Sequence, residues 1–240
     1  MSESYDSHNL LDRLLGRRGT LELHYRHMFA RERELVLPRL PATSGDVLSV
    51  GCGWNPGRHI FPSPAWRMTG VELEPRQPEA LVREGVIDHG LAGCAGELGL
   101  ADASFDAVLY RLVLHHIAYQ GPLAPVFAEA ARLLRPGGVL VAIEPGAWHP
   151  VGAGLAAANA AGLGPLLHGT PDDIPLSPRR LTAEAERARL RPRLHAVTYS
   201  WRRMAPVLQR ALWPLDAALG SRPRSAALGH TLLLMARKPG

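Results

Sequence analysis

Apolar residues recur at helical spacing over residues 8–40. Leu10, Leu11, Leu14 and Leu15 form one cluster, and Leu23, Met28, Phe29, Leu35 and Leu37 another. Gly16 and Gly19 interrupt the run, so the spacing predicts two helices, the second ended by Pro38 and Pro41. From residue 46 the pattern changes to short apolar runs punctuated by Gly and Pro. The runs are 46–50 (DVLSV), 68–73 (MTGVEL), 107–110 (AVLY), 139–143 (VLVAI), 194–201 (LHAVTYSW) and 230–236 (HTLLLMA). Helical spacing returns over 78–84, over 123–134 with Pro136-Gly137-Gly138 as its stop, and over 203–219. Residues 153–164 (AGLAAANAAGLG) read as an Ala/Gly-rich helix or lid. Strands alternating with helices predict an α/β domain, a parallel sheet covered on both faces.

Charge narrows the chemistry. Of 27 basic residues in 240, 26 are Arg and the one Lys is Lys238. Schiff-base lysines, a P-loop Lys and a Tyr-x-x-x-Lys dehydrogenase site are thereby excluded. A GC-rich bacterial genome accounts for the Arg bias more simply than any function. The charge is also uneven: residues 178–240 carry a net +10 and residues 1–177 a net −5. Two cysteines, Cys52 and Cys94, are too few for a disulfide framework and fit a cytoplasmic protein. No run approaches the ~20 apolar residues of a membrane span, and the polar start MSESYDSH is read as neither signal peptide nor anchor.

The first strand runs into Gly51-Cys52-Gly53-Trp54-Asn55-Pro56-Gly57, a turn whose glycines let a ligand approach the backbone closely. Glu72 stands 21 residues after Gly51, at the end of the second strand, where a carboxylate can accept hydrogen bonds from both ribose hydroxyls of a nucleoside cofactor. Together VLSVGCGWNPG, GVELEP, ASFDAVLYRLVLHHI and RLLRPGGVLVAIEP resemble the successive motifs of the class I S-adenosylmethionine-dependent methyltransferases, over about residues 45–146. The likeness is strongest to the small-molecule type typified by ubiquinone and menaquinone biosynthesis. It implies a Rossmann-like, doubly wound, seven-stranded, mostly parallel sheet with an antiparallel last strand, plus N-terminal helices and C-terminal helical insertions. The whole chain then reads as one domain: a helical lid over 1–42, a cofactor-binding core over 45–146, and acceptor-side insertions with the last two strands over 147–240.

The resemblance also implies site residues. S-adenosylmethionine would lie on Gly51, Cys52, Gly53 and Asn55, with Glu72 and Leu73 at the ribose. Cys94, Ala95 and Gly96 would lie at the adenine, and Tyr110 and Arg111 at the methionine tail. Two positions depart from the family pattern: Ser49 replaces an acid before the glycine loop, and Cys94 stands where an Asp commonly meets the adenine amino group.

A methyl on a sulfonium is already activated, so the protein must align the acceptor and exclude water; a general base helps where the acceptor is a hydroxyl or protonated amine. His115 and His116, just past the fourth strand, are the catalytic candidates, since imidazole titrates near neutrality. Tyr25 on the N-terminal helix, with His24 and His27 nearby, and His149 after strand five are the acceptor-side candidates. No His or Cys spacing recurs with a third ligand, so no metal is expected. The expected partner is a small-molecule acceptor such as a natural product, sugar or short peptide, and the basic tail suggests that it carries a carboxylate or phosphate. A monomer or homodimer is expected, with no membrane partner. Methylation of RNA is the rival enzyme reading. Against it, strand four ends in Leu109-Tyr110-Arg111-Leu112 rather than Asn/Asp-Pro-Pro-Tyr, and only Tyr199, Trp201 and Trp213 interleave the basic tail. A non-catalytic cofactor-fold protein is a third reading, resting on Ser49 and Cys94.

Overall fold

The computed structural model describes residues 18–168 and 174–240. The cluster at Leu10–Leu15 lies outside them. Helix α1 (Arg18–Val36) is followed by a 3-10 turn (Leu37–Arg39). The core runs β1 (Gly45–Val50), β2 (Trp66–Glu72), α2 (Arg76–Arg83), β3 (His89–Ala92), β4 (Phe105–Arg111), α3 (Leu114–Gln120), α4 (Ala124–Leu133) and β5 (Leu134–Pro145). Beyond it come α5 (Pro150–Ala160), α6 (Gly164–His168), α7 (Pro178–Arg187), β6 (Arg191–Thr198), α8 (Pro206–Leu219), α9 (Pro223–Ala226) and β7 (Thr231–Arg237).

The seven strands form one sheet in the order β3-β2-β1-β4-β5-β7-β6. β7 runs antiparallel to both β5 and β6, and the remaining pairs are parallel. Each central strand buries both faces, which is why these runs read as continuous rather than alternating. On one face Leu48, Val108, Tyr110 and Leu140 pack with Phe127 and Leu181 under α3, α4 and α7. On the other, Val47, Leu109 and Val141 pack with Met28 and Leu35 of α1, Phe61 of the β1–β2 connection and Leu81 of α2.

One local expectation needs correction, and in two stretches the sequence predicts no element. Gly19 does not break a helix: it sits in the first turn of α1, where an exposed glycine with nothing near its Cβ position costs little. The connection between β1 and β2 has a helix's length but forms turns, because Pro56, Pro62 and Pro64 remove the donors a helix needs. β3, the four-residue edge strand HGLA, carries too little apolar pattern to be read from sequence. The parallel edge of the sheet where β1, β2, β4 and β5 end is also where β7 begins and β6 ends. That edge gathers the candidate site.

Candidate active site

The glycine loop is built by tight turns. Gly51 has φ +64°, and a Cβ there would fall 2.3 Å from Val113. Gly57 has φ +90°, and a Cβ would fall 2.3 Å from Leu109. Both positions therefore exclude any side chain. Gly53, at φ +47°, differs: nothing lies within 4 Å of its Cβ position, so the loop is open to a ligand there. Gly51 and Cys52 donate their N–H groups to the Val71 carbonyl at 2.9 and 3.1 Å, which fastens the loop to β2. Gly53 donates to Glu72 Oε1 at 2.8 Å, so the predicted ribose carboxylate already stands beside the open glycine. Asn55 Oδ1 accepts the Gly57 N–H at 3.4 Å and closes the turn, while Leu73 is exposed next to Glu72. A glycine turn open at Gly53, with the Glu72 carboxylate beside it, fits a nucleoside cofactor.

Other expected cofactor contacts fall differently. The Cys52 side chain is buried beneath the loop; burial, then the Glu72 charge, push its thiol up to about 12, so only its backbone can serve the site. Tyr110 does not face a methionine tail. It is fully buried on the α4 side, its hydroxyl 3.3 Å from the Val126 carbonyl, because the side-chain alternation of β4 turns residue 110 away from residue 111. Cys94 is exposed, with Ala95 and Gly96 half-buried beside it, in the turn that Gly93 ties to the Glu72 carbonyl at 2.9 Å. Ser49 is buried within β1.

Arg111 is held by a residue the sequence did not single out. Glu32 of α1 is wholly buried and takes Arg111 in a two-point pair, Nε to Oε2 at 3.0 Å and a terminal nitrogen to Oε1 at 3.2 Å. His59 Nε2 lies 2.5 Å from the same carboxylate, and Phe29 underlies the guanidinium at 4.9 Å. Burial pushes the Glu32 carboxyl up, but the Arg111 charge and the bonds from His59 and Arg111 outweigh it, and the net direction is below the usual carboxylate range.

The two catalytic candidates occupy different environments. Glu144, buried on β5, accepts the N–H groups of Val113 at 3.0 Å, Leu114 at 2.8 Å and His115 at 3.3 Å, and its Oε2 lies 2.6 Å from His115 Nδ1. His115 is 4% exposed, so it is packed beneath the site rather than opened to it. His116 is half-buried, its ring 4.0 Å from that of His115. Because Val113 abuts Gly51, the turn bearing both histidines lies against the glycine loop.

A second assembly sits where β5 and β6 end and β7 starts. His149 and His230 have ring centroids 5.1 Å apart, and His24 of α1 lies 6.3 Å from His230 and 5.7 Å from Tyr25. Arg202 donates to the Tyr25 hydroxyl at 3.3 Å. The two acceptor-side candidates, Tyr25 and His149, thus share one cluster although 124 positions separate them. The ring nitrogens of His149 are both engaged by backbone: Nδ1 accepts the Val151 N–H at 3.2 Å and caps α5, and Nε2 donates to the Tyr199 carbonyl at 3.1 Å. That fixes a neutral tautomer. Burial, then Arg202, lower His24 to about 4; burial and the neighbouring histidines and arginines hold His230 well below its ordinary value. His27 meets the buried Asp216 at 2.7 Å and stacks on Trp213 at 4.2 Å, which anchors α1 to α8. Among the described residues no group of three His, Cys, Asp or Glu side chains could hold a metal. No described helix is long and apolar enough to cross a membrane.

A doubly wound sheet with a glycine loop after β1 and a ribose-height carboxylate after β2 defines a nucleoside-cofactor domain of the Rossmann-like methyltransferase class. Residues 48–142 match the family model described as a methyltransferase domain. Residues 48–142 therefore carry a methyltransferase domain of the Rossmann-like kind, and that match implies S-adenosylmethionine as its cofactor. No curated protein matches the sequence. Among solved structures, a methyltransferase from Thermotoga maritima is similar over 95% of this chain and 97% of its own, with TM-score 0.65 and 17% identity. One from Methanosarcina mazei is similar over 85% and 97%, with TM-score 0.59 and 15% identity. The [4+2]-cyclase SpnF is similar over 87% and 80%, with TM-score 0.58 and 21% identity. At such identities the likeness is one of fold, and the fold by itself does not select the reaction.

Proposed function

We propose that the protein transfers a methyl group to an oxygen or nitrogen atom of a small-molecule acceptor by in-line displacement. What carries this reading is two assemblies at one sheet edge. The Gly53–Glu72 contact lies on the β1–β2 side and the His24, Tyr25, His149, His230 and Arg202 cluster on the β5–β7–β6 side, with the histidine turn at 112–116 between them.

S-adenosylmethionine, when bound, supplies a methyl already activated on a sulfonium. The backbone of Gly51 to Gly53 and the Asn55 turn would cradle it, Glu72 would accept its ribose hydroxyls with Leu73 alongside, and backbone groups of Ala95 and Gly96 would read the adenine edge. The chain's chief contribution is orientation, worth roughly 7–11 kcal/mol of barrier when reactants are well aligned. His116 takes the acceptor's proton, worth roughly 10²–10⁴-fold. His115 is a positioning residue that fixes the turn on Glu144. Arg111, locked on Glu32, shapes the floor beside the methionine end and is not available to pair with a second anion.

The acceptor class follows from the second assembly. Arg202 anchored on Tyr25, and the +10 charge of residues 178–240, favour an acceptor bearing a carboxylate or phosphate. RNA needs an open basic groove with stacking platforms; here His24 is buried and the aromatic rings Trp213 and Phe29 are already covered by His27 and His59.

Thermal unfolding tests the cofactor. At 100 times its Kd, S-adenosylmethionine should add ~2.7 kcal/mol, a rise of roughly 5–11 °C at this chain length. No rise at millimolar cofactor would sink the reading. Methyl-labelled cofactor incubated with fractionated cell extract should label the small-molecule pool; label found in RNA alone would reject the small-molecule acceptor.

A further inference from the structure

A second polar assembly lies outside the site described above, along the outer edge of the sheet. β6 is the terminal strand, four strand spacings from β1, or about 19 Å at ~4.8 Å per spacing. A cleft of about 560 Å³ follows this edge, and Arg39, Trp148, Arg179, Thr182, Arg193 and His195 line it. They arrive from separate elements: Arg39 from the 3-10 turn after α1, Trp148 from the loop after β5, Arg179 and Thr182 from α7, and Arg193 and His195 from β6 itself.

Three features distinguish this cleft from an ordinary basic surface. First, Arg39, Arg179 and Arg193 make no ion pair among the described residues, whereas Arg58, Arg111, Arg132 and Arg135 are all paired with carboxylates. Second, no acidic residue lines the cleft. Third, His195 is 6% exposed and both its ring nitrogens are buried with no hydrogen-bond partner. Arginines on an edge strand also deter edge-to-edge pairing, but that does not require a buried imidazole with nothing to bond. An unmet buried polar atom is costly, so a natural fold retains one where something else completes the site.

We propose that this cleft binds an organic phosphate, its dianion held between Arg39, Arg193 and His195 and its apolar or planar body against Trp148. Two guanidiniums beside an imidazole suit a doubly charged tetrahedral anion better than a single carboxylate, because each supplies forked donors to separate oxygens. Arg179 stacks on Trp148, its guanidinium carbon 5.2 Å from the ring centroid, and supplies the third charge on the α7 side. Burial, then the Arg39 and Arg193 charges, hold His195 at about 4. An anion between these groups offsets the arginine field, so His195 gains basicity as the ligand binds.

The test uses the full chain without S-adenosylmethionine, so its outcome is independent of methyl transfer. Phenyl phosphate is titrated at constant ionic strength while the His195 ring proton is followed by NMR, assigned with His195→Gln. The expected result is saturable binding at millimolar concentration or below, an upward move of the His195 titration midpoint, and at least tenfold weaker binding in Arg39→Gln and Arg193→Gln. Both arginines are exposed, so these variants should fold even if His195→Gln does not. Unchanged binding in the two arginine variants, or equal affinity for sulfate with no response at His195, overturns the proposal. Poly-uridylate binding that outcompetes phenyl phosphate and falls steeply with salt would also overturn it, by assigning the cleft to nucleic acid.

Discussion

Glu32 and Arg111, 79 residues apart, meet as a two-point ion pair at 3.0 and 3.2 Å with the carboxylate wholly buried. The pair joins α1 to the end of β4, so the N-terminal helix is fastened to the sheet edge that gathers the candidate site. Glu32→Ala should cost roughly 3–5 kcal/mol in urea unfolding, because it strands a buried guanidinium. The double variant Glu32→Leu with Arg111→Met should recover most of that loss. A double variant no more stable than Glu32→Ala would show that the pair does more than neutralise charge.

Glycine positions in the loop separate folding from binding. Gly53→Ala introduces a left-handed residue at about 1–2 kcal/mol but meets no protein atom. It should therefore leave a folded protein whose S-adenosylmethionine affinity, measured by calorimetry, falls at least tenfold. Gly51→Ala adds a collision with Val113 and should damage stability as well as binding. Equal cofactor affinity in Gly53→Ala and wild type would remove the loop from the cofactor site.

The two turn histidines should behave differently. His116→Ala should lower turnover by roughly 10²–10⁴-fold with cofactor binding retained. His115→Ala, which empties a buried partner of Glu144, should chiefly lower stability, by roughly 1–3 kcal/mol. Full turnover in His116→Ala would end its assignment as base.

Suppressed histidines give stability a definite pH dependence. The folded-state values of His24 and His195 are about 4, below the ordinary ~6.5. Below pH ~6.5 the unfolded chain takes up protons that the folded chain refuses, so stability is full above that pH and falls towards pH 4. By linkage each should cost about 2 kcal/mol at pH 5 relative to pH 7.5. Urea unfolding at the two pH values should reveal the loss, and His195→Leu should shrink it by about that amount. A pH-independent midpoint in wild type between these values would refute the buried-histidine account.

The local pattern determined six of the seven strands and the glycine turn after β1. Continuous apolar runs reveal a sheet buried on both faces, and the glycines with Glu72 are legible because a tight turn and a ribose-height acid each restrict residue choice at fixed offsets. The burial of Tyr110 is legible as well: period-two alternation puts it on the opposite face from Arg111. Tertiary structure decided the rest. Glu32, Glu144 and His230 look like ordinary helix, strand and loop residues until folding sets them against Arg111, His115 and His149. Nothing in a one-dimensional chain records a contact between residues 32 and 111. His195, likewise, is one residue in a strand until folding buries it and sets Arg39, from the turn after α1, beside it with Arg193. Spacing along the chain specifies what each segment can form, but burial and charge compensation arise only where segments distant in sequence are brought within a few ångströms.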